Sequence, residues 1–287
     1  MVTPALSRFL PGFLAPRARR DTGPLALVAG PPRSGTTWLN REICTRPGWT
    51  AFLPECSFLT QQVGLYSQSK HYGQGRRFAA YFGDQPNLAA VYADTVVRML
   101  DLTRKINGFA ALDGMVLKDP ELSHYVADLD DIMPAYQLVC IVRDPRDVLA
   151  SAKKVAEKKQ EAWSVDSASS WIFPYFGSLL KHHQTKPSNA IFVRYEDMVS
   201  GGIDPVRSFL GQALKATASK ADTTETVRSH LDPTDPFFSD LYLKSTTTEM
   251  IGSYAKVLSE PEIRRIEAIF SGIMDRWNYA PWTGPAA

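Results

Sequence analysis

Residues 25–38 read LALVAGPPRSGTTW, and this stretch decides the fold. The apolar run at residues 25–29 is typical of a strand buried on both faces, and Trp38 begins a helical pattern. Between them, Gly30 and Gly35 enclose an arginine and a serine, and two threonines follow. Such a turn aims backbone N–H groups and the positive end of a helix dipole at one point. It therefore predicts a phosphate-binding loop.

Six residues of this loop are candidates for binding the phosphate. Arg33 offers a fork of N–H groups that matches phosphate oxygens. Hydroxyl and backbone donors come from the rest of the loop, namely Ser34, Gly35, Thr36, Thr37 and Trp38. The glycine spacing matches the G-x-x-x-x-G-K-[ST] loop of nucleoside triphosphatases, but Thr36 stands where that loop has lysine. Hydrolysis of ATP or GTP is therefore the weaker hypothesis, and a plain polar turn needs neither the arginine nor three hydroxyls.

Short apolar runs like the first one recur along the chain, at residues 115–117, 138–142 and 190–193, with a weaker one at 50–53. Helical patterns alternate with them, the clearest at residues 89–105, 144–159 and 260–276. This alternation predicts an α/β fold, a P-loop-like three-layer α/β/α arrangement with a central, mainly parallel sheet.

Composition limits the classes of function. The chain has 287 residues, 44% of them hydrophobic and 22% charged, which is ordinary globular usage. A net charge of +2 gives no global field toward nucleic acid or an anionic membrane. The three cysteines, Cys44, Cys56 and Cys140, lack the spacing of a disulfide framework or a metal site. No stretch reaches the roughly 20 apolar residues of a membrane span. We therefore expect a soluble, cytoplasmic protein without a metal or a nucleic-acid partner.

The first residues of the chain differ in character from the rest. Residues 1–24 are rich in proline and arginine, which fits either a flexible N-terminal arm or an organelle transit peptide. Because the prolines interrupt any amphipathic helix, we favour the arm. Residues 25–287 then form a single domain.

A second anion-binding element is predicted at residues 139–151. Asp144 is a good N-cap and Pro145 a good first helical residue, so a helix should begin directly after the strand. Arg143 then ends the strand and Ser151 lies about two turns into the helix, where the two can bind a second phosphate. Taken alone, these residues would equally suit an ordinary salt-bridged helix start.

Together these motifs resemble the sulfotransferases that use 3′-phosphoadenosine 5′-phosphosulfate (PAPS) and release 3′-phosphoadenosine 5′-phosphate (PAP). Residues 32–38 look like the 5′-phosphosulfate loop of that family, and Arg143 with Ser151 matches its 3′-phosphate motif. Tyr195, in a Y-E-D segment similar to one near the adenine, can either face the base or have a structural role. The resemblance covers residues 25–279 with the motifs in family order, and it implies PAPS as the cofactor with no metal required.

Sulfuryl transfer needs a cation at the leaving phosphate and a base for the proton of the acceptor. Arg33 meets the first need. For the base we favour Glu55, since it follows the weak apolar run and should share the carboxyl edge of the sheet with the phosphate loop. An ordinary solvated carboxylate is the alternative interpretation of Glu55. Lys118 ends another strand on the same edge.

The resemblance is closer to the tyrosylprotein and carbohydrate branch of sulfotransferases, which uses a glutamate in this region, than to the cytosolic branch, which uses a histidine. The nearest histidine here, His124, is expected to be a surface or packing residue. In the glutamate branch, a lysine like Lys118 contacts the transferring sulfuryl group, and a serine segment similar to residues 244–246 lies near that group. The predicted catalytic residues are therefore Glu55, Arg33, Lys118 and Ser245.

The predicted function is PAPS-dependent transfer of a sulfuryl group to an acceptor hydroxyl, with Glu55 as general base. The resemblance implies a saccharide, a glycolipid or another small molecule as acceptor rather than protein tyrosine. A kinase-like P-loop phosphotransferase is the alternative enzyme, and it would need Mg²⁺ and ignore a 3′-phosphate. A nucleotide-binding protein without catalysis is the other alternative, and it would have no need of Glu55.

Overall fold

The structure is a computed structural model that describes residues 23–71, 76–110, 113–211 and 248–284. Within these residues the sheet has four strands, Leu25–Ala29 (β1), Met115–Lys118 (β2), Gln137–Val142 (β3) and Ala190–Arg194 (β4). Their order across the sheet is β2-β1-β3-β4, and every neighbouring pair is parallel. The predicted α/β fold with a central parallel sheet is confirmed, and the first strand of the chain lies inside the sheet.

Helices connect these strands and cover both faces of the sheet. In chain order they are Thr36–Cys44 (α1), Ser57–His71 (α2), Arg76–Phe82 (α3), Gln85–Ile106 (α4), Leu129–Ile132 (α5), Pro145–Lys159 (α6), Val165–Gln184 (α7), Tyr195–Gly201 (α8), Asp204–Gly211 (α9) and Glu260–Arg276 (α10). Short 3-10 helices cover Pro120–Asp128, Thr248–Met250 and Ser253–Lys256. The predicted helix at 89–105 begins earlier, because Asp84 caps it by accepting the N–H of Asn87 at 3.0 Å.

The strand β1 is buried on both faces, as its unbroken apolar run predicts. Alternate side chains, those of Leu25, Leu27 and Ala29, pack in one core with residues of α2, α4, α7 and α10. Ala26 and Val28 point to the opposite face and pack in a second core with residues of α1, α8 and α9. Two cores separated by one sheet make the three-layer α/β/α arrangement, which confirms that prediction.

The weak apolar run at residues 50–53 is not a strand, and that prediction is wrong. The residue before the run, Trp49, makes an isolated bridge with Gly114, and residues 50–53 form no ladder with β2. Pro54, which has no N–H to donate to a ladder, ends the run. The segment nevertheless follows β2, because the N–H of Cys56 donates to the carbonyl of Lys118 at 3.0 Å.

Two sequence predictions fall outside the described residues. Ser245 lies in the undescribed range 212–247, and almost all of the predicted N-terminal arm lies before residue 23. The division of the chain into an arm and a single domain therefore stays a prediction. In the part of the chain that the structure describes, no helix combines the length and the apolar character needed to cross a membrane.

Gly30 marks the point where β1 leaves the sheet, and a side chain has no room there. An added Cβ would clash with the carbonyl oxygen of Ile141. We expect Gly30→Ala to lower the free energy of unfolding by about 1–3 kcal/mol or more, because a clash with backbone cannot be relieved by a rotamer change. Urea unfolding measures the loss.

Gly272 provides the matched control for this substitution. It is exposed inside α10, and an added Cβ would meet nothing within 4 Å. Gly272→Ala should therefore raise the free energy of unfolding by about 0.5–1 kcal/mol through helix propensity. A Gly30→Ala protein as stable as the wild type would contradict the close approach of the two backbones.

Candidate active site

The loop between β1 and α1 turns sharply and leads into a helix N-terminus. The N–H of Ser34 donates to the carbonyl of Pro31 at 3.1 Å, and Gly35 has φ +97°, a left-handed conformation that favours glycine. The Tyr195 ring closes the space beside Gly35, since a Cβ there would lie 2.6 Å from it. The helix begins at Thr36, and the N–H groups of its first turn have no acceptor within the helix. This is the strand–turn–helix geometry of a phosphate site.

Arg33 joins this loop to α6. Its backbone has φ +69°, which is uncommon for a residue with a side chain and costs conformational energy, as is frequent at functional sites. The Nε of Arg33 donates to Ser151 Oγ at 3.0 Å, across 118 positions of sequence. The two residues belong to the two different phosphate motifs of the sequence. The structure therefore brings these motifs into direct contact.

Arg143 lies at the end of β3, where it contacts three other segments. Its Nη1 donates to the carbonyl of Arg33 at 3.2 Å, and its Nη2 donates to the carbonyl of Met250 at 2.6 Å. The guanidinium carbon lies 4.6 Å from the centroid of the Tyr195 ring, a cation–π contact. These contacts hold the guanidinium beside the phosphate loop.

The helix start predicted after Arg143 is confirmed. Pro145 is the first residue of α6, and the side chain of Asp144 accepts the N–H of Arg146 at 2.9 Å. Arg146 forms ion pairs with Asp144 at 2.6 Å and with Glu267 at 2.7 Å, so two carboxylates compensate its charge. The hydrogen bonds of Arg143, by contrast, go to neutral carbonyls. Of the two arginines, Arg143 is the better prepared to bind an anion.

Tyr195 packs beneath the phosphate loop. It is buried, and its ring meets Trp38 edge-on with 5.9 Å between the centroids. The next residue, Glu196, accepts the N–H of Asp144 at 2.9 Å and the hydroxyl of Tyr279 at 3.0 Å. Burial raises the pKa of the Glu196 carboxyl, and the hydrogen bond from Asp144 acts in the opposite direction. Glu196 is thus structural, while a contact between Tyr195 and a base stays a prediction.

Lys118 and Glu55 form an ion pair at the same edge of the sheet. The distance from Lys118 Nζ to Glu55 Oε1 is 2.6 Å. The side chain of Lys118 is 3% exposed and that of Glu55 is 51% exposed. The ammonium is therefore buried beside the sheet, and the carboxylate faces solvent. The structure brings together these two sequence-predicted residues although 63 positions separate them.

The 3-10 helix after β2 adds a carboxylate and aromatic rings. Glu121 accepts the hydroxyl of Tyr175, and its Oε2 lies 3.7 Å from His124 Nε2. The rings of His124 and Tyr175 are 4.0 Å apart. Burial lowers the pKa of His124, and the charge of Glu121 acts in the opposite direction. This packing agrees with the expectation that His124 is a packing residue.

Two buried polar atoms in the predicted phosphate motifs lack a hydrogen-bond partner among the described residues. They are Ser34 Oγ, in the phosphate loop, and Arg143 Nε. A buried polar group without a partner costs roughly 1–3 kcal/mol, so both atoms suit a site that takes a polar ligand. Among residues 23–71, 76–110, 113–211 and 248–284, no group of His, Cys, Asp and Glu is arranged to hold a metal ion.

Comparison with known proteins decides the family. A family model described as the sulfotransferase family matches residues 24–211, well over half of the chain. The chain belongs to the sulfotransferase family. Sulfuryl transfer is therefore its class of reaction, and the resemblance drawn from the sequence is confirmed for the family, while the glutamate branch stays a prediction. No curated protein matches the chain.

Solved sulfotransferase domains share the fold at low sequence identity. The sulfotransferase domain from the curacin biosynthetic pathway has 16% identity and a TM-score of 0.53, covering 87% of this chain and 98% of its own. The sulfotransferase domain from the Synechococcus PCC 7002 olefin synthase has 15% identity and a TM-score of 0.56. The match covers 94% of this chain and 99% of that domain. At this identity the likeness concerns the fold, and it extends over 98% and 99% of the two domains.

Two residues that contact the site, Ser123 and Asp147, were not predicted from the sequence. Ser123 Oγ accepts the N–H of Gly30 at 2.9 Å, so the first residue of the phosphate loop is held by the 3-10 helix after β2. Asp147 lies four positions after Arg143 and is 1% exposed. The spacing of four residues, which brings two side chains together on one face of a helix, could have indicated a contact between Asp147 and Arg143. Nothing in the sequence indicates the contact of Ser123 with Gly30.

The ion pair between Lys118 and Glu55 predicts an unequal response to substitution. Glu55→Ala leaves a buried ammonium without its carboxylate and should lower the free energy of unfolding by about 1–3 kcal/mol. Lys118→Met replaces the ammonium with an apolar chain of similar length and should be neutral or stabilising. Urea unfolding of both variants tests the asymmetry, and equal losses would contradict it.

Proposed function

We propose that this sulfotransferase transfers the sulfuryl group of PAPS to an acceptor hydroxyl and releases PAP. One observation carries the proposal, namely that charged side chains lie at three points along one edge of the sheet. These points are Arg33 beside Ser151, the Arg143 guanidinium and the Lys118–Glu55 pair. The first two suit the two phosphates of the nucleotide, and the third suits the acceptor hydroxyl.

The nucleotide would lie along the carboxyl ends of β1 and β3. Arg33 and the residues that follow it, Ser34, Gly35, Thr36, Thr37 and Trp38, would bind the 5′-phosphosulfate. Arg143 and Ser151 would bind the 3′-phosphate, with Tyr195 near the adenine. Ser34 Oγ and Arg143 Nε, one in each group, have no hydrogen-bond partner in the part of the chain that the structure describes, and this supports the fit. The side chains supply the positive charge themselves, so the proposal requires no metal.

The residues of the site match the needs of sulfuryl transfer. A bond forms between the acceptor oxygen and sulfur while the bond between sulfur and the 5′-phosphate oxygen breaks. Glu55 would accept the proton of the acceptor hydroxyl. Arg33 and the loop N–H groups would stabilise the charge that grows on the leaving phosphate. Lys118, which pairs with Glu55, would place its ammonium close to the developing charge.

The acceptor we propose is a saccharide, a glycolipid or another small molecule. Glu55 is half exposed, so an acceptor can reach it from solvent. Large aromatic side chains on two helices are also exposed, Phe58 by 41% and Trp171 by 47%. Phe58 stands three positions after Glu55, and Trp171 contacts Tyr175 edge-on. Such rings provide the apolar surface on which a sugar or phenol ring packs.

Calorimetry without added metal tests the nucleotide. The wild type should bind PAP at least about tenfold more tightly than ADP, since only PAP carries the 3′-phosphate. Arg143→Ala should remove most of this preference while the Kd for ADP changes little. Arg207→Ala, on an exposed turn of α9, is the control and should change neither Kd. Equal wild-type affinity for PAP and ADP, or binding only with Mg²⁺, would favour the kinase-like phosphotransferase.

Radiolabelled PAPS and a panel of monosaccharides, glycolipids and phenols test the base. With an acceptor that the wild type sulfates, Glu55→Gln should lower kcat by about 10²–10⁴-fold, because the amide cannot accept the proton. The Kd for PAP should stay unchanged. An active Glu55→Gln enzyme would instead point to His124, and a matching loss in His124→Asn would identify that histidine as the base.

A further inference from the structure

Asp147 connects two distant parts of the chain. It lies in the first turn of α6 and is 1% exposed. Its Oδ2 accepts the N–H of Gly252 at 2.8 Å, while its Oδ1 accepts the N–H of Tyr254 at 2.9 Å and the hydroxyl of Ser253 at 3.1 Å. An acid in the first turn usually stabilises its own helix through the dipole. Here the carboxylate also binds three donors of another segment.

The segment that Asp147 holds also holds Arg143. Met250 precedes Gly252 by two positions, and its carbonyl accepts Arg143 Nη2 at 2.6 Å. The same Nη2 lies 3.7 Å from Asp147 Oδ2. Asp147 thus acts on Arg143 by two routes, through the position of the Met250 carbonyl and through its own charge.

We propose that Asp147 is a positioning residue for the nucleotide, which holds residues 250–254 against α6 and thereby orients Arg143 toward the 3′-phosphate. The inference rests on the proposed function, in which Arg143 binds that phosphate. Asp147 itself does not contact the nucleotide. Both of its oxygens are occupied by donors, and its negative charge would repel a phosphate.

Orientation matters because an arginine side chain has many rotamers. A guanidinium that is already held when the nucleotide arrives loses less conformational freedom on binding. The Tyr195 ring supports one face of the guanidinium, and the Met250 carbonyl fixes one of its edges. If residues 250–254 separate from α6, the second of these supports is lost. The 3′-phosphate is the part of the nucleotide that this loss should affect.

Asp147→Asn tests the proposal through the binding of PAP and ADP, measured by calorimetry. In the wild type both Asp147 oxygens accept hydrogen bonds, two at Oδ1 and one at Oδ2. The NH₂ group of asparagine, in either orientation of the amide, would therefore face an N–H or O–H donor and lose at least one hydrogen bond. We expect the Kd for PAP to rise at least tenfold and the Kd for ADP to change less than threefold. Equal losses for both nucleotides would indicate general damage, and an unchanged preference for PAP would show no role; either result overturns the inference.

Asp130→Asn is the matched control. Like Asp147, Asp130 accepts hydrogen bonds from another segment, here two of them, from Tyr136 Oη at 2.7 Å and Asn189 Nδ2 at 3.1 Å. Asp130 lies at the amino edge of the sheet, away from the proposed site. This variant should leave the ratio of the PAP and ADP dissociation constants unchanged. A loss of PAP preference in Asp130→Asn equal to that in Asp147→Asn would remove the specific role of Asp147.

Gly252→Ala provides a second variant should Asp147→Asn fail to fold. Gly252 is exposed and an added Cβ meets nothing within 4 Å, but its φ of +69° disfavours alanine. The substitution therefore strains the held segment from its outer side. We expect a smaller but again selective loss of PAP affinity, and a folded variant with full PAP preference overturns the inference. A wild type without preference for PAP contradicts the proposed function instead.

Discussion

The pairing of β1 with β3 is the interaction on which the site depends. Residues 25–29 and 137–142 are far apart in the chain, yet Leu27 pairs with Leu138 and Ala29 with Cys140 in one parallel ladder. Because parallel strands end at the same edge, the loop after β1 and the helix after β3 begin side by side. The fit is tight enough that Gly30 can carry no Cβ beside Ile141. The Arg33–Ser151 and Arg143–Met250 contacts follow from this adjacency.

Charge compensation distinguishes residues that look alike in the sequence. Arg143 and Arg146 stand three positions apart in one R-D-P-R motif, and both are buried. Arg146 has two carboxylates within 2.7 Å, whereas Arg143 donates to carbonyls and approaches Asp147 only to 3.7 Å. A buried cation with incomplete compensation can interact strongly with an incoming anion, because water screens the attraction little there. The surrounding fold thus compensates the charge of Arg146 more fully than that of Arg143.

The sequence correctly predicted the features that depend on interactions between neighbouring residues. The run of β1, the N-cap of α6 and the helical pattern of α10 all depend on residues within a few positions of one another. Residues 50–53 were wrongly predicted to form a strand because they are apolar. Pro54 follows directly and has no N–H to donate, so no ladder of hydrogen bonds with β2 develops. Glu55 was expected at the carboxyl edge because it follows a strand that does not form, and it lies there instead because the N–H of Cys56 donates to the carbonyl of Lys118. The place of Lys118, at the end of β2, could be predicted from the rule for parallel sheets. The contacts of Ser123 with Gly30 and of Asp147 with Gly252 could not be predicted, because they join residues 93 and 105 positions apart whose relative position only the complete fold defines.

The central place of the first strand has a consequence for synthesis of the chain. Both neighbours of β1 come later in the sequence, since Leu25 pairs with Met115 and Ala26 with Gln137. At about 5–20 residues per second, the ribosome needs roughly 4–18 s after Leu25 before the first partner strand exists. Throughout that interval an entirely apolar segment has no sheet to join, and it is open to chaperones or to other nascent chains. A strand that is among the best protected in the finished protein is therefore among the most vulnerable during translation.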